Sequence, residues 1–151
     1  MSRANQITIN VIRMASTQGC TVWRNNVLGV FDAKIALDKI WRLVQSGKVT
    51  TSELKKALQS SYRTTNERKG ASDVLGFVRK TGQFLSIEIK GKGDKLSIEQ
   101  QQFLKEVATA GLAFVVAEEP EKMRFTVLGC EKITVCNEVE FISLLREKIQ
   151  L

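Results

Sequence analysis

The 151-residue chain contains no histidine, a single proline, a single tyrosine and three cysteines. Without histidine there is no Ser-His-Asp triad, no Cys-His dyad, no HExxH zinc site and no histidine-metal nuclease finger. Any hydrolytic chemistry must rest on carboxylates, Lys, Ser, Thr, Tyr or Cys. The cysteines, Cys20, Cys130 and Cys136, are odd in number and lack CxxC spacing. They make neither a disulfide framework nor a zinc site, so buried reduced thiols in a reducing compartment are expected. Long apolar runs are missing as well. Residues 1–10 hold no apolar signal core, and no stretch approaches the roughly 18 apolar residues of a membrane span. The expectation is a soluble, cytoplasmic protein with no membrane partner.

Positive charge is plentiful. There are 23 Lys and Arg against 16 Asp and Glu, a net of +7. Residues 1–95 carry 17 basic and 7 acidic groups, residues 96–151 only 6 basic and 9 acidic. A polyanionic partner, nucleic acid foremost, is expected on the first two thirds of the chain.

The apolar pattern Ile7, Val11, Met14, Ala15 predicts a helix from about residue 5 to 18, stopped by Gly19. Residues 20–24 read as a strand. Asp32 caps a helix to about residue 45, and Thr50 with Glu53 carries a capping-box pattern for another. These two form either a DNA-reading helix-turn-helix or, more commonly, a plain helical hairpin covering a sheet. Residues 60–72 are polar and basic and read as a loop. Strands at 73–79 and 83–90 flank Lys80-Thr81-Gly82 as a hairpin. Ser97 caps a helix to about residue 110. Residues 112–117 are continuously apolar, as in a strand buried on both faces. An acidic turn at 118–121 leads to a second expected hairpin, 124–128 with 132–135, across which Cys130 and Cys136 would face each other, reduced. A last helix carries Phe141, Leu144, Leu145 and Ile149. Trp23 and Trp41 are expected in core or interface packing, although a Trp beside a basic residue can also stack on a base.

The central hairpin concentrates the chemistry. Glu88 and Lys90 lie two apart on one strand and share a face. If the turn is centred between Thr81 and Gly82, Asp73 faces Lys90 and is diagonal to Glu88, about 7–8 Å away. Two carboxylates at that spacing can bridge one Mg²⁺, with the backbone carbonyl of Ile89 as an extra ligand. An ion there polarises a phosphoryl oxygen, and Lys90 neutralises developing charge. Taken alone, Glu-x-Lys is also a common surface pair on an amphipathic strand.

Asp73, fourteen intervening residues and Glu88-Ile89-Lys90 together resemble the PD-(D/E)xK nuclease motif. Val22-Trp23-Arg24-Asn25-Asn26 precedes it, Glu67-Arg68-Lys69-Gly70 leads into it, and Leu96-Ser97-Ile98-Glu99-Gln100 follows. Over about residues 5–120 the chain is similar to the VRR-NUC family, including its small stand-alone phage and bacterial members that resemble Holliday junction resolvases. The resemblance implies Asp73 and Glu88 as metal ligands, Lys90 as catalytic lysine, Gln100 as a helix residue ordering the site, and Arg24, Arg68 and Lys69 as groups near DNA. It implies an α/β restriction-endonuclease-like core, a mixed β-sheet flanked by helices, as one nuclease domain over residues 1–151. The helical hairpin at about 31–61 would be an insertion, and the C-terminal hairpin and helix would occupy about 123–151. The expected activity is a Mg²⁺- or Mn²⁺-dependent endodeoxyribonuclease on branched DNA such as four-way junctions, acting as a homodimer in a bacterial or phage-encoded setting. Members usually carry a first-helix Glu about thirteen residues before the Gly that ends it. Here that position is Gln6, a poorer metal ligand. The alternative is therefore a DNA-binding accessory module with the nuclease fold but weak or no catalysis; a basic domain binding RNA or protein ranks below it.

Overall fold

The computed structural model describes residues 2–25, 30–63, 68–126 and 132–149. They fall into two compact units, residues 1–25 with 68–151, and residues 26–67.

The first unit is built on a five-stranded mixed sheet. Its strands are β1 (Cys20–Arg24), β4 (Val74–Val78), β5 (Phe84–Lys90), β6 (Leu112–Ala117) and β7 (Ile133–Cys136), in the order β1-β4-β5-β6-β7. β4 is antiparallel to both of its neighbours, β1 and β5, whereas β6 and β7 join in parallel. With helices on both faces, this is a restriction-endonuclease-like α/β core.

The alternation of β5 explains the layering. Leu85, Ile87 and Ile89 point one way and join Val74, Phe114 and Val116 in a core closed by α1 (Arg3–Thr17) and α6 (Glu138–Ile149). Ser86, Glu88 and Lys90 point the other way. That face is covered by α4 (Ile98–Ala110) and the short α5 (Pro120–Arg124), around Leu96, Leu104, Val115 and Met123. Because α4 and α5 pack on β5, β6 and β7, the same face of β1 and β4 keeps Trp23 and Phe77 exposed.

Helix ends follow their caps. Ser2, Ser97 and Asn137 accept backbone N–H bonds from the first turns of α1, α4 and α6. Gly19, at φ +83°, follows the C-cap of α1 and allows the immediate turn into β1.

Two expectations for the first unit are corrected. Among the described residues the C-terminal hairpin is replaced: residues 120–124 are helical, and β7 pairs in parallel with β6. Pro120 occupies the first turn of α5, where its missing N–H costs nothing. A helix between strands is what a parallel crossover needs. Cys130 lies outside the described residues. The Trp23 side chain is not core; it is 47% exposed, because α4 does not reach over β1.

In the second unit, α2 (Ala33–Gln45) and α3 (Thr51–Gln59) pack as a helical pair through the buried Ala36 and Ala57. Asp32 and Thr50 cap them, accepting from the Ile35 and Glu53 amides. Only half of the capping box forms, since the Glu53 carboxylate turns to Lys56. The stretch expected as a loop from residue 60 contains β3 (Tyr62–Arg63), which pairs with β2 (Val30–Phe31). Trp41 is exposed on α2, which excludes the core half of the expectation and leaves interface packing. Among the described residues no helix is long and apolar enough to cross a membrane.

Candidate active site

The turn joining β4 and β5 sets the register of the site. Gly82, at φ +73°, donates its N–H to the Val78 carbonyl, and the Val78 N–H bonds to the Gln83 carbonyl. Residues 79–82 therefore form a four-residue connection, and Val74 pairs with Ile87. One step further puts Asp73 opposite Glu88, not diagonal to it. The expected register is thus corrected by two residues, because Gly82 closes a longer turn than the two-residue hairpin assumed.

Asp73 and Glu88 come together just before β4 begins, beside the continuing β5. The Ile89 N–H donates to Asp73 Oδ2 at 2.9 Å. In an extended strand a residue's N–H and C=O lie on the same side, so the Ile89 carbonyl also faces the Asp73 side, past the start of β4. Lys90 Nζ lies 3.0 Å from Glu88 Oε1 and donates to Gln100 Oε1 at 2.9 Å. Gln100 Nε2 donates to Glu88 Oε1 at 2.5 Å.

The orientation of Gln100 is dictated by its neighbours. Its oxygen also accepts the Ser97 N–H at 3.0 Å, and its own N–H donates to Ser97 Oγ, a complete capping box. Two donors meet one end of the amide and a carboxylate meets the other, so the reversed amide would be repelled at both. The residue that completes the capping box of α4, Gln100, is thereby the residue that ties Lys90 to Glu88.

Glu88 is only 1% exposed, and no described residue hydrogen-bonds its Oε2 with normal geometry. The Asp73 amide is close enough to favour the carboxylate, but not enough to satisfy it. Burial, and then the Asp73 charge, push the Glu88 carboxyl up to about 7, against the pull of Lys90. Burial raises Asp73 too, with Asp94 adding to it, while the Ile89 amide, Lys90 and Arg24 oppose the shift.

An orphaned buried carboxylate oxygen, a second carboxylate opposite it and a carbonyl on the same side form a hard-oxygen donor set that fits Mg²⁺ or Mn²⁺. Among the described residues there is no group of three or more Asp, Glu or Cys side chains able to hold a metal. Asp73 and Glu88 are thus the only two carboxylates offered here, with the Ile89 carbonyl beside them.

A buried polar support lies beneath the pair. Ser86 Oγ donates to Ser72 Oγ at 2.8 Å, and both serines are fully buried. Asn25, just past β1, donates its side chain to the Ser72 carbonyl at 2.9 Å and its backbone N–H to the Asp73 carbonyl at 2.7 Å. Sequence reading gave these three residues no role in the site. The available signal was the polar stripe Ser86, Glu88, Lys90 alternating with Leu85, Ile87 and Ile89.

The remaining site residues are placed unevenly. Arg24 is within electrostatic reach of Asp73. Arg68 pairs with Glu106 and lies over the Phe103 ring at 5.8 Å, which ties it to α4. Lys69 is exposed, with its charge felt by Glu99. Gln6 is not brought to the site: it is exposed and donates to Asn10 Oδ1 at 3.2 Å on its own helix. The sheet-facing side of α1 carries Ile7, Thr8, Val11 and Ala15. Its approach to the end of β5 is Ala4, whose methyl would lie 4.0 Å from a β-carbon on Gly91. The described cysteines are bystanders. Cys20 and Cys136 are buried and unpaired, and burial raises both thiols, Cys136 to about 12.

A carboxylate pair with an adjacent lysine on a mixed sheet, ordered by a glutamine from the next helix, defines a nuclease of the PD-(D/E)xK class. Residues 29–119 match the VRR-NUC domain family. The match covers more than half of the chain, so the chain belongs to that family; this makes it a nuclease and implies DNA as its substrate. Comparison with curated proteins gives no match, and neither does comparison with solved structures.

The buried carboxylate gives a pH prediction. Glu88 holds its proton in the native state up to about pH 7, whereas an unfolded Glu loses it near the ordinary 4.5. Native protein therefore binds more protons between those values, and stability falls as pH rises through them. Metal-free protein is expected to lose on the order of 2–3 kcal/mol between pH 5 and 8 from this group. Glu88→Gln flattens that part of the profile. Urea denaturation across this pH range in EDTA measures both; parallel profiles for the two proteins would refute the shift.

Proposed function

We propose that the chain is a divalent-metal-dependent endodeoxyribonuclease that hydrolyses phosphodiester bonds of branched DNA, four-way junctions above all, and that it works as a homodimer. The observation that carries the reading is the buried Glu88–Lys90–Gln100 network facing Asp73, with one Glu88 oxygen left without a partner.

Asp73, Glu88 and the Ile89 carbonyl are the residues that would hold Mg²⁺ or Mn²⁺. Bound there, the ion supplies Lewis-acid polarisation of a phosphoryl oxygen and lowers the pKa of a coordinated water. The protein's own residues do the rest. The Lys90 ammonium has three hydrogens, of which Gln100 and Glu88 take two. The third is left over for a substrate phosphate oxygen, which it would steady as negative charge accumulates. Gln100 fixes the ammonium's position, so no reorganisation is required during reaction. Arg24, Arg68 and Lys69 add positive charge near the path of the phosphate backbone. One chain carries one such site, and cutting both strands of a junction calls for two, which favours a dimer.

The test is a labelled four-way junction and a linear duplex of the same sequence, each incubated with Mg²⁺, Mn²⁺ or EDTA. The expected result is cleavage only with a metal and faster on the junction, by a protein that sediments as a dimer. Equal rates on both substrates remove the selectivity for branched DNA. Salt-dependent binding without cleavage under either metal identifies the accessory module instead. Metal affinity should also weaken below pH 7, about tenfold per pH unit while one proton is displaced from Glu88, as read by calorimetry.

A further inference from the structure

The sheet face that carries Ser86, Glu88 and Lys90 continues across β4 and β1, beyond the strands that α4 and α5 of the same unit cover. Directly paired residues share a face, and the register pairs Ser86 with Leu75, Leu75 with Trp23, and Phe84 with Phe77. Trp23 is 47%, Phe84 40% and Phe77 39% exposed. Three aromatic side chains thus stand in the open on the face that holds the site.

From the surface of the described unit, we infer that this face stacks the bases of an unpaired DNA strand flanking the cut, an inference that rests on the nuclease reading of the adjacent site. Distance supports it. At about 3.3–3.4 Å per residue, the Trp23–Leu75 row lies about 7 Å along the strands from the Asp73–Glu88 row, and the Phe77–Phe84 row about 14 Å. A strand whose phosphate sits at the carboxylates would lay its neighbouring nucleotides on these rows.

Charge supports it as well. The segments that form this region, residues 20–25 and 74–84, contain Arg24, Arg79 and Lys80 and no acidic residue. Apolar rings flanked by these cations suit a polyanion that carries flat apolar groups, which a single-stranded nucleic acid does. The bases must be unpaired, because in a duplex their π-faces are stacked on one another and only their edges are accessible.

The test uses three DNAs in EDTA, so that binding is read without cleavage: a blunt duplex, the same duplex with a single-stranded flank, and that flank made of abasic nucleotides. The abasic flank keeps the phosphates and lacks the bases. Wild-type protein should bind the base-carrying flank about tenfold more tightly than the abasic one by fluorescence anisotropy. Trp23→Ala and Phe77→Ala should each lose most of that advantage, Trp23→Phe should keep it, and blunt-duplex affinity should not move. Equal binding of the two flanks overturns the inference, and so does an equal loss on all three DNAs. A wild-type dimer that Trp23→Ala turns into a monomer without changing flank affinity overturns it too, and reveals a subunit interface. If the flank advantage is present but neither Mg²⁺ nor Mn²⁺ supports cleavage, the nuclease reading fails and the stacking face stands. If cleavage is present and the flank advantage absent, the reverse holds.

Discussion

Lys90→Ala is expected to slow single-turnover DNA cleavage by about 10³-fold or more while changing DNA affinity by no more than a few fold. Two losses combine in this one change. The ammonium that faces the substrate disappears, and Glu88 loses the cation that holds its carboxyl down against burial and the Asp73 charge. A buried carboxylate stripped of its partner takes up a proton instead of staying charged. The variant should therefore also bind Mg²⁺ more weakly at pH 7, and raising the pH should recover metal binding without recovering the rate. Lys90→Arg is not a rescue. The Gln100 oxygen and Glu88 lie 2.9 and 3.0 Å from a compact ammonium, and a planar guanidinium does not fit the same buried space. Asp73→Asn should match the rate loss. Gln100→Ala should cost less, about 10–100-fold, since it orients the reacting groups without replacing one. A Lys90→Ala protein that cuts at the wild-type rate would exclude the assigned site.

How much of this was readable beforehand depends on the range over which each feature is encoded. The caps at Asp32, Thr50 and Ser97 and the bounds of the first and sixth strands were legible, because each is fixed by a few adjacent side chains. Asp73, Glu88 and Lys90 were legible as neighbours through their spacing along a hairpin, and Gln100 only through the resemblance to the VRR-NUC family. The register was not, because it turned on whether Gly82 closes a two-residue or a four-residue connection, and both are compatible with Lys-Thr-Gly. The support from Ser72, Ser86 and Asn25 depends on that register and was hidden with it. Gln6 was reached by counting residues back from Gly19; the helical period puts a different face of α1 against the sheet. The final strand had no local mark of parallel pairing, and the stretch around Pro120 that read as an acidic turn opens the helix before it. The openness of Trp23 depends on where α4 packs, which no window around residue 23 contains.

Gly70→Ala should be among the most damaging single changes available, costing about 3 kcal/mol or more of stability and lowering the melting temperature by roughly 6–12 °C. Gly70 lies at φ +79°, and a β-carbon there would overlap the Glu99 carbonyl and come within 2.6 Å of the Gln100 nitrogen. Those atoms are backbone in the first turn of α4, so no rotamer change relieves the clash. Gly82→Ala separates the two contributions. Gly82 lies at φ +73°, nearly the same conformation, and a β-carbon on it would meet nothing within 4 Å. That variant should therefore pay only the left-handed backbone penalty, about 1 kcal/mol. The excess at Gly70 measures how tightly the segment leading to Asp73 is pressed against the helix that supplies Gln100. Relief can come only from moving these two segments apart, which draws Gln100 away from Lys90 and Glu88. Gly70→Ala should then lose activity at temperatures where circular dichroism still shows it folded, whereas Gly82→Ala should lose activity only on unfolding. Identical melting temperatures for the two variants would show that the contact between Gly70 and α4 is loose, and that the glutamine is held by its capping box alone.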